Sequence, residues 1–346
     1  MLRRALLGLC LLATACIGGS PPPAGAQEKP LVIQNQRLVF KLDEPAATEV
    51  GRLIWRGGVE MKADSPNFGG WSDLHVTPDG RTLTSISDEG AWLSATIDYS
   101  ADGNLAGLTQ GRIGQLRGLD GKAIHSKAEA DAEAMARLPD GSWLVAFERR
   151  HRLWHYRTLD ATPLPVEGPA DIGRQPANGG IEALTALADG TVIAISEEYS
   201  LKPGTVVGWI GRPAATPGSS PTGNVRYNWS SFSYATNPDF RPTAIVQLPD
   251  GAFATLERAF DVVRGVRVRV MHFDAAQLQP GGTVTAEELA FLATPYAVDN
   301  LEGLSTTRGP RGETLLWLIS DDNFNPLQRN ILMLFELPQS ALRSAK

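Results

Sequence analysis

The stretch Glu182-Ala-Leu-Thr-Ala-Leu-Ala188-Asp189-Gly190-Thr191-Val-Ile-Ala-Ile-Ser196-Glu197-Glu198 decides the fold. Asp-Gly supplies the positive φ of a tight turn, and its flanks carry strand patterning, so the segment reads as an antiparallel hairpin. Four further segments share the design. They are Asp73 to Glu89 around Asp79-Gly80, Glu133 to Arg149 around Asp140-Gly141, Thr243 to Arg258 around Asp250-Gly251, and Glu302 to Asp322 near Gly309-Pro310-Arg311-Gly312. The turn glycines Gly80, Gly141, Gly190 and Gly251 recur at spacings of 61, 49 and 61. Hairpins repeating at such periods mark a propeller.

Between the hairpins lie further strand-like runs: Trp92 to Tyr99, Arg152 to Arg157, Val206 to Gly211, Val266 to Phe273 and Ile331 to Leu337. The expected fold is therefore all-β, a single β-propeller of four-stranded antiparallel blades spanning 37–337, five by signature count. Arg37 to Leu42 is expected to close the last blade beside Ile331 to Leu337 and so hide both sheet edges. Residues 50 to 62 hold enough strand for a sixth blade, and the sequence leaves that alternative open. The best helix candidate, Ser126 to Met135, is short; Arg212 to Gly223 reads as an exposed loop, 27–36 as a linker and 338–346 as a tail.

Of 346 residues, 42% are apolar and 20% charged, which fits a turn-rich globular protein and excludes coiled coil, collagen and acidic disorder. Residues 1–26 read as a signal peptide: Arg3 and Arg4, an apolar run from Ala5 to Ala15, and Ala24-Gly25-Ala26 before the cut. The alternative is a lipoprotein signal ending before Cys16, with a lipid anchor there. Either reading predicts export, periplasmic or secreted, and no later run is long enough to span a bilayer. Losing this segment removes two arginines and no acid, taking the net charge from −6 to −8, which argues against nucleic acid. Cys10 and Cys16 both leave with it, so the mature chain has no thiol and no intramolecular disulfide.

Counted from the turn Asp, Glu133 and Glu148 fall at −7 and +8, and Glu182 and Glu197 do the same. Asp73 and Asp88 fall at −6 and +9, Glu257 at +7 opposite Thr243, and Glu302 and Asp321 flank the fifth turn. Paired offsets across a hairpin bring acids together at its open end, so an acidic funnel is expected at one end of the ring. Crowded carboxylates raise one another's pKa or recruit a cation. Calcium suits an all-oxygen set, to which Asp321-Asp322-Asn323-Phe324-Asn325 adds, whereas scattered histidines and no thiolate disfavour zinc. The metal candidates are thus Asp73, Asp88, Asp131, Glu133, Glu148, Glu182, Glu197, Glu302, Asp321 and Asp322. The competing reading makes these acids ties to Arg149, Arg258, Arg329 or strand-end amides.

Other chemistry finds little support. There is no Gly-x-Ser-x-Gly, Walker loop or Gly-x-Gly-x-x-Gly. His151 and His155 lie on a strand, where their spacing separates them by about 13 Å. Asp98 to Asn104 lacks the closing Glu of a calcium loop and reads as a turn. His75, two residues after Asp73, is a candidate proton carrier. Trp71, Trp143, Trp154, Trp209, Trp229 and Trp317 read as packing between sheets.

Gly69-Gly70-Trp71-Ser72-Asp73-Leu74, Asp131-Ala132-Glu133-Ala134-Met135, Asn178-Gly179-Gly180-Ile181-Glu182-Ala183-Leu184, Arg241-Pro242-Thr243, Asp299-Asn300-Leu301-Glu302-Gly303 and Ile319-Ser320-Asp321-Asp322-Asn323-Phe324-Asn325 resemble the phytase-like esterase family of exported bacterial β-propellers. Ala132 stands where a Pro is common, and Leu301 replaces an aromatic. The resemblance implies a propeller with hydrolase kinship to calcium-dependent β-propeller phytases, without a catalytic set to transfer. The expected function is a calcium-dependent hydrolase of phosphate esters or related small esters, acting as a monomer on a small anionic substrate. Glu182 and Glu302 are the candidate bases, and Arg149, Arg258 and Arg329 the phosphate clamps. Two alternatives share the funnel: a non-catalytic binding propeller, and a calcium-dependent lactonase.

Overall fold

In the computed structural model, described over residues 28–214 and 225–342, five antiparallel sheets stand around one axis. The segment expected to be a signal, with both of its cleavage readings, and most of the stretch Arg212 to Gly223 expected to be a loop lie outside the described residues. Each sequence hairpin is the innermost strand pair of one blade. These pairs are Trp71–Val76 with Thr82–Ser87, Ala132–Arg137 with Trp143–Phe147, Ile181–Ala186 with Val192–Ser196, Arg241–Gln247 with Phe253–Asp261, and Leu301–Arg308 with Thr314–Ser320. The turn glycines Gly80, Gly141, Gly190 and Gly251 have φ of 70°, 84°, 83° and 94°, the left-handed conformation that Asp-Gly turns require.

Third strands follow at Ala91–Tyr99, Arg152–Tyr156, Thr205–Pro213, Gly265–Phe273 and Ile331–Leu337, close to their expected places. The fifth blade departs from expectation. Its fourth strand is Leu53–Ala63, paired with Ile331–Leu337, and Ile33–Arg37 lies outside that. Arg37 to Leu42 therefore does not close the ring, and residues 50 to 62 build no sixth blade; they complete the fifth. The expected linker 27–36 instead carries two strands either side of Val32: Lys29–Leu31 extends blade one along Leu105–Gln115, and Ile33–Arg37 extends blade five. The expected helix shrinks to one turn, Lys127–Ala130.

Five apolar clusters fill the five gaps between neighbouring blades. Alternation along each strand sends one set of side chains to either gap, which is why the blades stack face to face. Trp71, Trp209 and Trp317 are fully buried in these gaps, and truncating such a side chain costs about 3–5 kcal/mol. All of the first strands start at one end of the axis, and that end carries the acids.

Candidate functional site

A register shift interrupts the innermost pair of every blade, at Trp71/Asp73, Ala146/Phe147, Ile181/Ala183, Pro242/Ala244 and Leu301/Gly303. The residues left over are Ser72, Glu133, Glu182, Thr243 and Glu302, one per blade. A bulge re-aims the side chain it carries, and here it turns three glutamates toward one another. Glu133, Glu182 and Glu302 come from blades two, three and five, and burial raises all three well above ordinary carboxyl values. The charges of Asp131, Glu148 and Glu302 add to the rise of Glu133, those of Glu197, Glu302 and Glu133 to that of Glu182, and those of Asp321, Asp88 and Glu197 to that of Glu302. Arg258 opposes the rise of Glu182 and Glu302.

A second set of side chains follows the second strand of each hairpin. The amides of Asp88, Glu148, Glu197 and Asp321 bond to Gly70, Asp131, Gly180 and Asn300, and in blade four Arg258 pairs with Arg241 at the same place. Burial, then the charge of Asp88 on Asp321 and of Asp131 and Glu197 on Glu148, pushes Asp321 and Glu148 up to about 7, although the Gly180 amide bonds to Glu148 and opposes its rise. Gly70 is required here: it has φ +65°, and a Cβ would lie 2.2 Å from Asp88 Oδ1.

The fourth blade thus delivers an arginine instead of an acid. Arg258 lies 3.7 Å from Glu197 and 3.5 Å from Glu302, a counter-charge built between two carboxylates. Glu257, expected among the acids, turns away to accept a hydrogen bond from the Tyr234 hydroxyl (3.0 Å) and to pair with Arg269 (3.3 Å). On blades one and two, Lys127 contacts Asp88 and lies 2.7 Å from Asp131, while Arg149 Nε lies 2.6 Å from Asp131. Burial depresses the Lys127 ammonium, but the two aspartates outweigh it and raise its pKa.

The candidate acids divide into two groups. Asp73 spends its oxygens on the amides of Leu74 (2.7 Å) and Met135 (2.8 Å), joining blade one to blade two. Asp322 accepts from Gly70 (2.9 Å), Phe324 (3.2 Å) and the Asn330 side chain (2.8 Å), bracing its own loop. By contrast, Glu182 Oε2 and Asp88 Oδ1 are buried without a hydrogen-bond partner. Two groups of oxygens lie within 4.8 Å of one another: Asp131, Glu133 and Glu148, and Glu148, Glu182 and Glu197. An all-carboxylate set with orphaned, mutually repelling oxygens fits a hard divalent cation.

His75 stands apart from these acids, edge-on to Trp143 at 5.4 Å, and burial followed by the nearby charge of Arg137 lowers it to about 4, so it is neutral at pH 7. Arg329 pairs with Asp299 at 3.2 Å. Beside the ring a cleft of 620 Å³ opens between blades one and two, with Asp88, Lys127, Asp131, Glu133, Glu148 and Phe324 among its walls. Sequence reasoning missed Lys127, the bulges, and Ser72 and Thr243 as ring members. The −7 offset nevertheless points to Ser72 and Thr243, and +8 to Arg258.

A five-bladed propeller whose bulges gather carboxylates at one end is the class of protein that fold and site define. The profile of the phytase-like family, described as "Esterase-like activity of phytase", matches residues 66–324, and the chain belongs to that family. No curated protein matches. Among solved structures, a protein of unknown function from Dyadobacter fermentans is 13% identical, with TM-score 0.40 over 91% of this chain and 100% of its own. The WD40 repeats of RRP9 are 11% identical, with TM-score 0.38 over 88% and 100%, and U3-55K is 12% identical, with 0.37 over 78% and 96%. Scores at that level lend no weight to any functional reading.

Proposed function

We propose that this protein is an exported, calcium-dependent hydrolase of phosphate esters or related small esters. The observation that carries the reading is the convergence of Glu133, Glu148, Glu182 and Glu197, one of whose oxygens, Glu182 Oε2, has no protein partner. These residues would hold the ion, with Asp131 as a further donor. When bound, such an ion neutralises substrate oxyanions and lowers the pKa of an attacking water.

The protein's own groups supply the rest. Lys127 and Arg149 stand at the wall of the cleft, where they orient an anionic group while Asp131 fixes both. Asp321, outside that donor set and pushed up to about 7 by burial and the charge of Asp88, is poised to take or give a proton at neutral pH. Arg258 is already committed to Glu197 and Glu302, so its work is to keep that side of the ring charge-balanced rather than to clamp phosphate.

The test is a panel of p-nitrophenyl phosphate, phytate, short acyl esters and lactones, with millimolar calcium and with chelator, on wild type and Glu182→Gln. The reading expects phosphate-ester turnover that needs the ion and is lost in the variant. Turnover indifferent to both would sink it, and selective lactone turnover would move the assignment to a lactonase.

A further inference from the structure

Blade four differs from the other blades on the funnel face. Its second and third strands run past the ring position Arg258 to Asp261 and return from Gly265, three residues farther, or about 10 Å at the rise of a strand. In the other blades the second strand stops at Ser87, Phe147, Ser196 or Ser320, before the ring residue. The projecting tip is apolar: Phe260, Val262 and Val263 are 63%, 91% and 89% exposed. On either side, the funnel-face loops of blades three and five present Leu201 and Leu327, 62% and 90% exposed.

The tip is also braced and internally satisfied. Asp261 Oδ1 accepts from the amides of Val263 (3.0 Å) and Arg264 (2.8 Å), so the turn carries these donors already paired. Asp261 and Asp239 bind Arg264 at 2.6 and 3.2 Å and Arg267 at 3.2 and 3.6 Å. The same Asp-to-amide pairing closes the exposed turns at Asp79, Asp140, Asp189 and Asp250, so it braces a turn in any medium. At this tip it also lowers the cost of entering an apolar one, where each unpaired amide costs several kcal/mol.

We infer that this tip, with Leu201 and Leu327, docks the funnel face onto a lipid bilayer. Convex single-residue points on three neighbouring blades suit a soft, flat surface; a protein partner would need a continuous complementary patch of about 800 Å². The first strand, Lys29–Leu31, pairs with Ile113 to Gly111, and the strand beside it ends at Gln115, next to the turn at Gly90 on the same face. A lipid at Cys16, the second reading of the leader, would tether the molecule from that side. Because the arginines at the tip are already paired, the contact is apolar and resists salt.

The chain from Gln27 onward contains every strand among the described residues and is the form to test, by cosedimentation with phosphatidylethanolamine–phosphatidylglycerol vesicles. Wild type should bind, and binding should persist in about 0.5 M salt. Val262→Ser with Val263→Ser should lower the partition coefficient about tenfold. Phe291→Ser, at an exposed site on an outer strand, should not change it. Both valines are solvent-facing, so an unchanged melting temperature will show the double variant folded. Wild type that stays in the supernatant, or a double variant that sediments equally, overturns the inference. So does a wild-type dimer that the double variant dissolves in sedimentation velocity, since the tip would then serve a second copy. The vesicle assay uses no substrate, so failure of the hydrolase reading leaves its result standing.

Discussion

Asp73 on blade one, buried, and Glu182 on blade three, half-buried, are acids near the open end of an inner hairpin, one residue out of step in the repeat. Asp73 sits just past the bulge, and its two oxygens are filled by backbone amides of its own blade and the next. Glu182 sits on the bulge itself, with one oxygen unpartnered and other carboxylates around it. One residue of register therefore separates an acid that holds blades together from one that repels its neighbours. Removing the first should hurt the fold, and removing the second should relieve it.

The sharpest test of that contrast replaces each acid in turn. Asp73→Ala strands buried amides and should cost about 3 kcal/mol or more in chemical denaturation. Glu182→Gln in chelator should leave stability unchanged or raise it; wild type should be stabilised by millimolar calcium, and the variant should not. If both variants lose stability alike, the distinction fails.

Arg258→Met probes the balanced side of the ring. It leaves Glu197 and Glu302 without their counter-charge and should cost about 2–3 kcal/mol without metal. Melting curves should recover part of that loss in calcium. An unaffected melting temperature would mean the two acids are protonated anyway.

A smaller effect is set by pH. Glu148 and Asp321 have folded-state pKa values raised to about 7, so the folded chain binds more protons than the unfolded chain above the ordinary carboxyl range. Their contribution is fully present below that range and is lost as pH rises to about 7. Metal-free protein should therefore lose stability between pH 5 and pH 7, and Glu148→Gln should flatten the slope. The smallest change belongs to Ser72→Ala and Thr243→Ala, whose hydroxyls make only long contacts of 3.4 and 3.5 Å and should shift stability by about 1 kcal/mol or less. Weakened calcium binding in either would make the bulge ring five-membered in function.

The five inner hairpins are legible because each is local: a tight turn, Asp-Gly in four and Gly-Pro-Arg-Gly in the fifth, fixes its register, and register fixes which residues meet at the far end. The acids at −7 and +8 followed from that alone. The bulges did not, since an extra residue leaves no composition signal, and Asp73 was grouped with the ring although its bulge aims Ser72 instead. Glu257 drew attention by its charge, while the offset rule pointed one place on, to Arg258. Ring closure was misread for a different reason. No turn ties Leu53–Ala63 to Ile331–Leu337, so contacts distant in sequence select that pairing, among them the packing of Phe40 and Trp55 on Phe335 and the Arg56–Glu336 ion pair.

That pairing imposes an order of events on synthesis. The fifth sheet joins Leu53–Ala63 to Ile331–Leu337, strands far apart in the sequence, so this pairing cannot form until residue 337 has been translated. Until then blades one and four each lack a neighbour, and the apolar sides they will bury remain open. Contacts this distant in sequence also form slowly. A chain so arranged keeps its ring unclosed until Ile331–Leu337 has been made.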